Sequence, residues 1–339
     1  MRISRSLAGL LDRSVMPIGE QPSTSLRARP QPAAQARTDL PRPAWRIAGA
    51  LSRADRARLA WQLLADEAEE ITFRREGTRW TAFPWDRFIS EQLFVDGGFQ
   101  VAEVRSVLAW MRRHHRFATP KDVVIDVGAN IGTSTIPFAK ETDSWVLAIE
   151  PVPEVFAVLC RNVADNGLAE QVTCIQAAIS PAGVDRVRMI LPEGNSGGGS
   201  VCRQDRKLSF AGVSGIRGIV EVPAMTLAEV INAHGVAPER VAFVWSDTQG
   251  CEADVIEPGQ ALWAAGVPLF VEFAPQTFPD GAEALVAAAT TLFSGFIAAK
   301  TLLTDVAAEA RPITGLAAFC RALGPSGGDA LLLPEGFEI

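Results

Sequence analysis

Residues 122–151 read DVVIDVGANIGTSTIPFAKETDSWVLAIEP. Asp122 to Val127 is an apolar run of strand length, and Gly128 stops it. The spacing predicts a helix over Thr133 to Lys140 and a second strand over Trp145 to Ile149. Strand, glycine turn, helix and strand in about thirty residues is a β-α-β unit, which joins parallel strands through a crossover helix. Gly128 and Gly132 permit a tight turn and close backbone approach by a ligand, and the helix start behind them offers free N–H groups. The pattern is D-x-G-x-N-x-G, not the G-x-G-x-x-G of dehydrogenases, so a nicotinamide-dependent oxidoreductase is disfavoured. Glu150 closes the second strand 24 positions after Asp126. A carboxylate there can accept hydrogen bonds from both hydroxyls of a ribose. Turn and carboxylate together predict nucleoside binding.

The alternation continues outward. Pro153 to Asn166 is a predicted helix ended by Asn166-Gly167, a left-handed stop. Val172 to Ile179 reads as a third strand, then an irregular Gly-rich stretch, then a helix over Thr226 to Ala233. Val241 to Ser246 and Pro268 to Phe273 are buried strands, each followed by a helix, Glu252 to Ala264 and Ala282 to Phe293. Phe296 to Lys300 and Ala330 to Leu333 close the pattern. This is an α/β fold with a mainly parallel sheet and helices on both faces, spanning residues 119–339. Ligands on such sheets bind beyond the carboxyl ends of the strands.

Upstream, residues 46–118 read as a helical N-terminal cap. Ser52 caps a helix running to about Glu70, and a second begins near Gln100. Trp80, Phe83, Trp85, Phe88 and Phe94 crowd the connection, either as core packing or as the lining of a substrate pocket. Residues 1–45 hold six prolines among Ser, Ala, Gln and Arg. Proline at that density blocks helix and sheet interiors, so this segment is expected to be a disordered leader outside the fold.

Composition narrows the function. The chain has 339 residues, 48% hydrophobic and 21% charged, enough for a large core. The net charge is −7, and residues 1–46 carry eight Arg against three acids, so the body is distinctly acidic. That argues against binding a nucleic-acid backbone. No apolar run reaches the roughly 18 residues of a membrane span. Five Cys with no C-x-x-C pair and only three His give none of the usual zinc spacings, and no metal is expected. The odd, unpatterned Cys count suggests reduced thiols and a cytoplasmic location. With no Tyr in the chain, a phenol-based mechanism is excluded.

The blocks VIDVGANIGTSTIPFAK, AIEPVPEVFAVLCRNVADNG, VPAMTLAEVI, FVWSDTQGCEADVI and FVEFAP occur in order over roughly residues 121–275. In these blocks the chain resembles the FkbM family of S-adenosylmethionine-dependent methyltransferases. The resemblance implies a class I methyltransferase Rossmann-like fold and O-methylation of a hydroxylated small molecule, often a sugar or natural-product scaffold. It implies that Asp126, Gly128, Asn130 and Gly132, with Thr133, hold the methionine end of S-adenosylmethionine. Glu150, with Pro151, would hold the ribose, and Gln176 and Ala177 would lie beside the adenine. Many relatives have a Lys two residues before the Asp of the fourth strand; here Trp245 stands there, marking a subgroup.

Around the transferred methyl, Asp247 and Glu252 are the nearest carboxylates. Either could contact ligand, or simply favour the start of the following helix. Glu272 ends the fifth strand in an apolar run, where a lone acid needs a partner. Asp247, Glu272 and His115 are the candidate catalytic groups, and His115 requires the cap to fold over the sheet edge. Ser200, Gln249 and Glu252 are the candidate substrate contacts. Gly194 to Ser200 lacks a P-loop ending and reads as a flexible loop beside the acceptor. The competing function is a cofactor-binding, methyltransferase-like interaction protein that has lost catalysis.

Overall fold

A computed structural model describes residues 49–117, 122–202, 215–273, 283–324 and 327–337. The expected leader, residues 1–45, lies outside them. Ser52–Ile339 clusters as a single unit, so the segment expected as a cap and the sheet domain belong to one body.

The segment before the sheet is not purely helical. Ser52 caps the helix Arg53–Ala65, its hydroxyl accepting from the Asp55 amide at 3.1 Å. Two strands follow, β1 (Ile71–Arg75) and β2 (Thr78–Ala82), paired antiparallel with Arg75 opposite Thr78. Glu76 and Gly77 both have positive φ, 47° and 75°, the geometry of a two-residue hairpin turn. The helices Ile89–Asp96 and Val101–Arg113 come next.

The central sheet contains β3 (Val123–Val127), β4 (Trp145–Ile149) and β5 (Val172–Ile175). The chain then leaves it. β6 (Ala178–Ile179), β7 (Arg186–Pro192), β8 (Ser200–Val201) and β9 (Ile216–Met225) form a separate four-stranded sheet in the order β6-β9-β7-β8. The expected third strand therefore ends at Ile175, and Gln176-Ala177 sits at the break between two sheets. The stretch expected to be irregular is largely an antiparallel ribbon.

The chain returns through β10 (Val241–Ser246), β11 (Leu269–Phe273), β12 (Phe293–Ala298), β13 (Arg311–Pro312) and β14 (Gly328–Pro334). The eight-stranded order is β13-β12-β14-β11-β10-β3-β4-β5. β10, β3, β4, β5 and β11 run parallel, and β14 inserts antiparallel between β11 and β12. Both faces are covered. Val123, Ile125 and Val127 enter one apolar cluster, with Leu227, Trp263 and Leu285. Val124, Ala148, Phe243 and Trp245 enter the other, with Trp80 and Trp110. Strands buried on both faces read as continuous apolar runs, which is why the sequence showed them. The helix expected from Glu252 to Ala264 is broken at Glu257–Gly259 around Pro258, which cannot supply an interior N–H.

From β3 the chain moves outward to β4 and β5, then comes back to β10 on the other side. The strand order reverses between β3 and β10, and the crevice beyond their carboxyl ends is where such sheets bind ligands.

Candidate functional site

The turn after β3 is built on three residues of positive φ, Gly128, Asn130 and Gly132. Gly128 has φ +86°, and a Cβ there would lie 1.9 Å from the Asp247 carbonyl oxygen. Only glycine lets the β3 and β10 loops approach this closely. Asn130 also has positive φ, 48°. Its amide donates to a Glu150 carboxylate oxygen at 3.1 Å, and the Val152 amide donates to the other at 2.8 Å. The end of β4 is thus clamped to the turn after β3. Glu150 is 5% exposed, and burial pushes its carboxyl up to about 8, against those two backbone bonds.

Asp126 is fully buried beneath the turn. One carboxylate oxygen accepts from Ser134 at 2.7 Å and Thr135 at 2.5 Å, at the start of the helix Thr135–Glu141. The other has no hydrogen-bond partner among the described residues. Burial raises this carboxyl to about 6, against the Thr135 and Ser134 bonds.

Above the turn lies a cavity of about 190 Å³. Gly128, Asn130, Thr133, Glu150, Pro151 and Ala177 line one side, and Trp245, Asp247, Gln249 and Glu272 another. Glu150, Asp247 and Glu272 are its charged members; among the described residues no Lys or Arg lines it. Gln249, with φ 54°, turns its amide nitrogen between two acids, donating to Asp247 at 2.9 Å and Glu272 at 2.6 Å. Burial, then the neighbouring charges of Asp247 and Glu252, holds the Glu272 carboxyl well above the usual carboxylate range. Trp245 stacks on Phe270 at 3.8 Å between ring centres, packs edge-on against Phe138 at 5.5 Å, and lines the cavity.

Residues 126–294 match the family model of the methyltransferase FkbM domain. The chain carries an FkbM methyltransferase domain. Three solved structures are similar to parts of this chain. TYW2 of M. jannaschii, crystallised with AdoMet, is 23% identical over 34% of this chain and 49% of that one, with a TM-score of 0.23. TYW2 of P. horikoshii, crystallised with MeSAdo, is 18% identical over 40% and 50%, TM-score 0.24. A SAM-dependent methyltransferase of Agrobacterium tumefaciens is 14% identical over 32% of each chain, TM-score 0.25. This chain thus spans between about a third and half of each. A comparison with curated proteins yields no match.

The FkbM domain brings together most residues expected at the site, but not all. Gly128, Asn130, Thr133, Glu150, Pro151, Ala177, Asp247, Gln249 and Glu272 share the cavity. Asp126 and Gly132 support it from behind; a Cβ on Gly132 would press on Leu159 at 3.1 Å. Gln176 precedes Ala177 at the sheet break without lining the cavity. Ser200 is buried in β8 while Gly199 and Val201 face the cavity, as strand alternation requires, so Ser200 itself does not line it. Glu252 does not line the cavity either. It is fully buried, and one oxygen accepts from the amides of Thr248 (3.2 Å) and Gly250 (3.1 Å), closing its own loop.

His115 is misplaced for catalysis. Arg116 beside it donates to the carbonyls of Val241 and Ala242, at 3.1 and 3.0 Å, where β10 begins. The cavity opens where β10 ends, five residues or roughly 16 Å further on. The end of the helix Val101–Arg113 thus lies at the opposite end of the sheet, while Phe88, Ile89, Phe99 and Gln100 of the same segment line the cavity.

A further buried acid, Asp86, is not among the residues the sequence singles out. Asp86 accepts from the amides of Phe88 (2.9 Å), Ile89 (3.3 Å) and Ser90 (3.0 Å), and from the hydroxyls of Ser90 (2.9 Å) and Ser196 (2.7 Å). Ser196 belongs to the Gly-rich segment read as a flexible loop, and it also approaches the Asn130 side chain at 3.4 Å. The Arg87 amide donates to the Gly194 carbonyl at 2.8 Å. Asp86 therefore ties that segment, the helix Ile89–Asp96 and the turn after β3 around one edge of the cavity. The available signal was an Asp four residues before Ser90, at the start of a helical pattern.

Proposed function

We propose that this protein is an O-methyltransferase acting on a hydroxyl of an uncharged small molecule. The observation that carries the reading is the cavity itself: Glu150 at the end of β4 and the Asp247–Gln249–Glu272 set at the ends of β10 and β11 face one space. The donor set fits a cofactor of net positive charge, since the described lining is acidic and free of Lys and Arg. Glu150 would hold the ribose through the lone pairs left free by its two backbone bonds. Ala177 would lie against the adenine, and Gly128, Asn130 and Thr133 would hold the methionine end. S-adenosylmethionine supplies, when bound, a methyl carbon activated by sulfonium.

The chain's own task is alignment of the acceptor and removal of its proton. Gln249 fixes Asp247 and Glu272 in position. A carboxyl pushed upward by burial is, once deprotonated, a stronger base than an ordinary one, which suits Glu272 to the role of proton acceptor.

Tritium transfer from labelled S-adenosylmethionine to a panel of hydroxylated acceptors tests the reading. Product should form, its rate should rise with pH through a midpoint above the ordinary carboxylate range, and Glu272→Gln should remove that dependence. Binding of S-adenosylhomocysteine without transfer to any acceptor would instead support the non-catalytic interaction protein.

A further inference from the structure

A second cavity of about 480 Å³ adjoins the first, and Phe99 and Thr133 line both. Three elements enclose it: the hairpin turn of β1 and β2, the helix Thr135–Glu141, and the connection Gly97–Gln100 between the two preceding helices. That connection is a built wedge. Gly97 and Gln100 have positive φ, 95° and 52°. A Cβ on Gly98 would lie 2.2 Å from a Val101 methyl. The hairpin is held by Asn162, fully buried, which accepts from the Thr81 amide at 2.6 Å and donates to the carbonyls of Thr81 (3.0 Å) and Ile131 (2.9 Å). The same side chain thus fixes this cavity's wall and the cofactor turn.

The floor is apolar, made by Trp80, Leu93, Phe99, Val101, Ile136 and Pro137. The rim is charged but balanced: Arg75, Arg105 and Lys140 face Glu76, Asp96 and Glu141. Arg105 pairs with Glu141 at 3.1 Å. Lys140 donates to the Thr78 hydroxyl at 2.8 Å, and Arg75 to the Phe94 carbonyl at 2.8 Å. A rim with equal numbers of each sign gives no net field to select an ion. It offers donors and acceptors around an apolar floor, the arrangement of a small-molecule site.

We propose that this second cavity receives the part of the acceptor that is not methylated, and that this part is uncharged, with one apolar face and a hydroxylated or amide edge. The inference rests on the reading of the first cavity as the donor site. The acceptor bridges the two at Phe99 and Thr133, its reacting hydroxyl toward Asp247 and Glu272.

The test uses the full chain saturated with S-adenosylhomocysteine, with n-octyl β-D-glucoside below its micelle concentration as the neutral probe, followed by calorimetry. Octyl phosphate and octyltrimethylammonium are the charged counterparts of the same chain length. The neutral probe should bind saturably with the nucleoside present, at least tenfold tighter than either ion. Pro137→Phe, which fills the cavity from the helix side, should weaken the probe at least tenfold and leave S-adenosylhomocysteine affinity unchanged. If that variant does not fold, Val101→Phe fills the same space from the opposite wall. No binding, displacement of the probe by S-adenosylhomocysteine, or a preference for either ion would overturn the proposal. Failure of S-adenosylhomocysteine itself to bind would overturn the donor-site reading, while probe binding would still report on the second cavity.

Discussion

Asp86 is the residue whose replacement should damage the fold most for the smallest change in shape. It is fully buried and accepts five hydrogen bonds, two at one oxygen and three at the other. In Asp86→Asn one oxygen survives. An NH₂ replaces the other and faces donors. If the three-bond oxygen is kept, the amides of Phe88 and Ile89 are left unpaired against an N–H group. Hydrogen bonds to a charged group contribute about 1.5–3 kcal/mol each and do not add fully. The loss should therefore be about 3–5 kcal/mol. At roughly 2 °C per kcal/mol for a body of this size, the melting temperature should fall by about 6–10 °C. Ser196→Ala removes one of the five bonds and should lower the melting temperature by a smaller amount, while weakening S-adenosylhomocysteine because the Gly-rich segment loses its tie. Calorimetric melting with parallel urea titration measures both. An Asp86→Asn protein melting within about 2 °C of wild type would refute the claim that this carboxylate organises the cavity edge.

Stability should depend on pH in an unusual direction. Burial raises Glu150 to about 8, Asp329 to about 7 and Asp126 to about 6. Each folded-state value lies above the unfolded one, so the folded chain holds extra protons. Their contribution is present below about pH 4 and is lost as pH rises through 6 to 8. The ligand-free protein should melt higher at pH 5.5 than at 8.5, and Glu150→Gln should flatten the upper part of that profile; a melting temperature rising over this range contradicts it. Asn162→Ala removes three buried bonds between the hairpin, the helix Pro153–Asp165 and the turn after β3, and should cost about 2–4 kcal/mol, read by urea unfolding. Among the described residues no group of three or more His, Cys, Asp or Glu is disposed to hold a metal ion. Dialysis against EDTA should leave methyl transfer intact; activity that vanished and returned with Mg²⁺ would make Asp247 and Glu272 oxygen ligands.

The central strands were legible because burial on both faces makes them nearly continuous apolar runs, as at Val123–Val127, where Asp126 alone interrupts the run before Gly128. The turn after β3 was legible because close approach to the Asp247 carbonyl demands glycine at 128. The β1-β2 hairpin was missed because one strand, Thr78–Ala82, is mostly buried and shows no alternation, and its turn carries Glu76 rather than Asn or Gly. The β7-β9 ribbon did alternate, as Arg186–Pro192 and Ile216–Met225 show, but was overlooked beside the glycines between them. Ser200 and His115 were chosen by residue type. Their exclusion depends on which way a strand residue faces and which sheet end a helix reaches, and both are tertiary facts. Glu252 was ambiguous for a local reason: a carboxylate four residues after Thr248 can close its own loop as readily as meet a ligand.

Glu150 tests the account most directly, because the donor-site reading depends on its carboxylate facing the cavity at the end of β4. Isothermal calorimetry of S-adenosylhomocysteine binding should give a saturable 1:1 isotherm for the full chain. Glu150→Ala should weaken it by about 1–3 kcal/mol, or roughly 5- to 150-fold in Kd, the loss expected for hydrogen bonds to a charged group. Unchanged affinity in the Glu150→Ala protein, with its fold intact by circular dichroism, would contradict the assignment of this cavity as the nucleoside site.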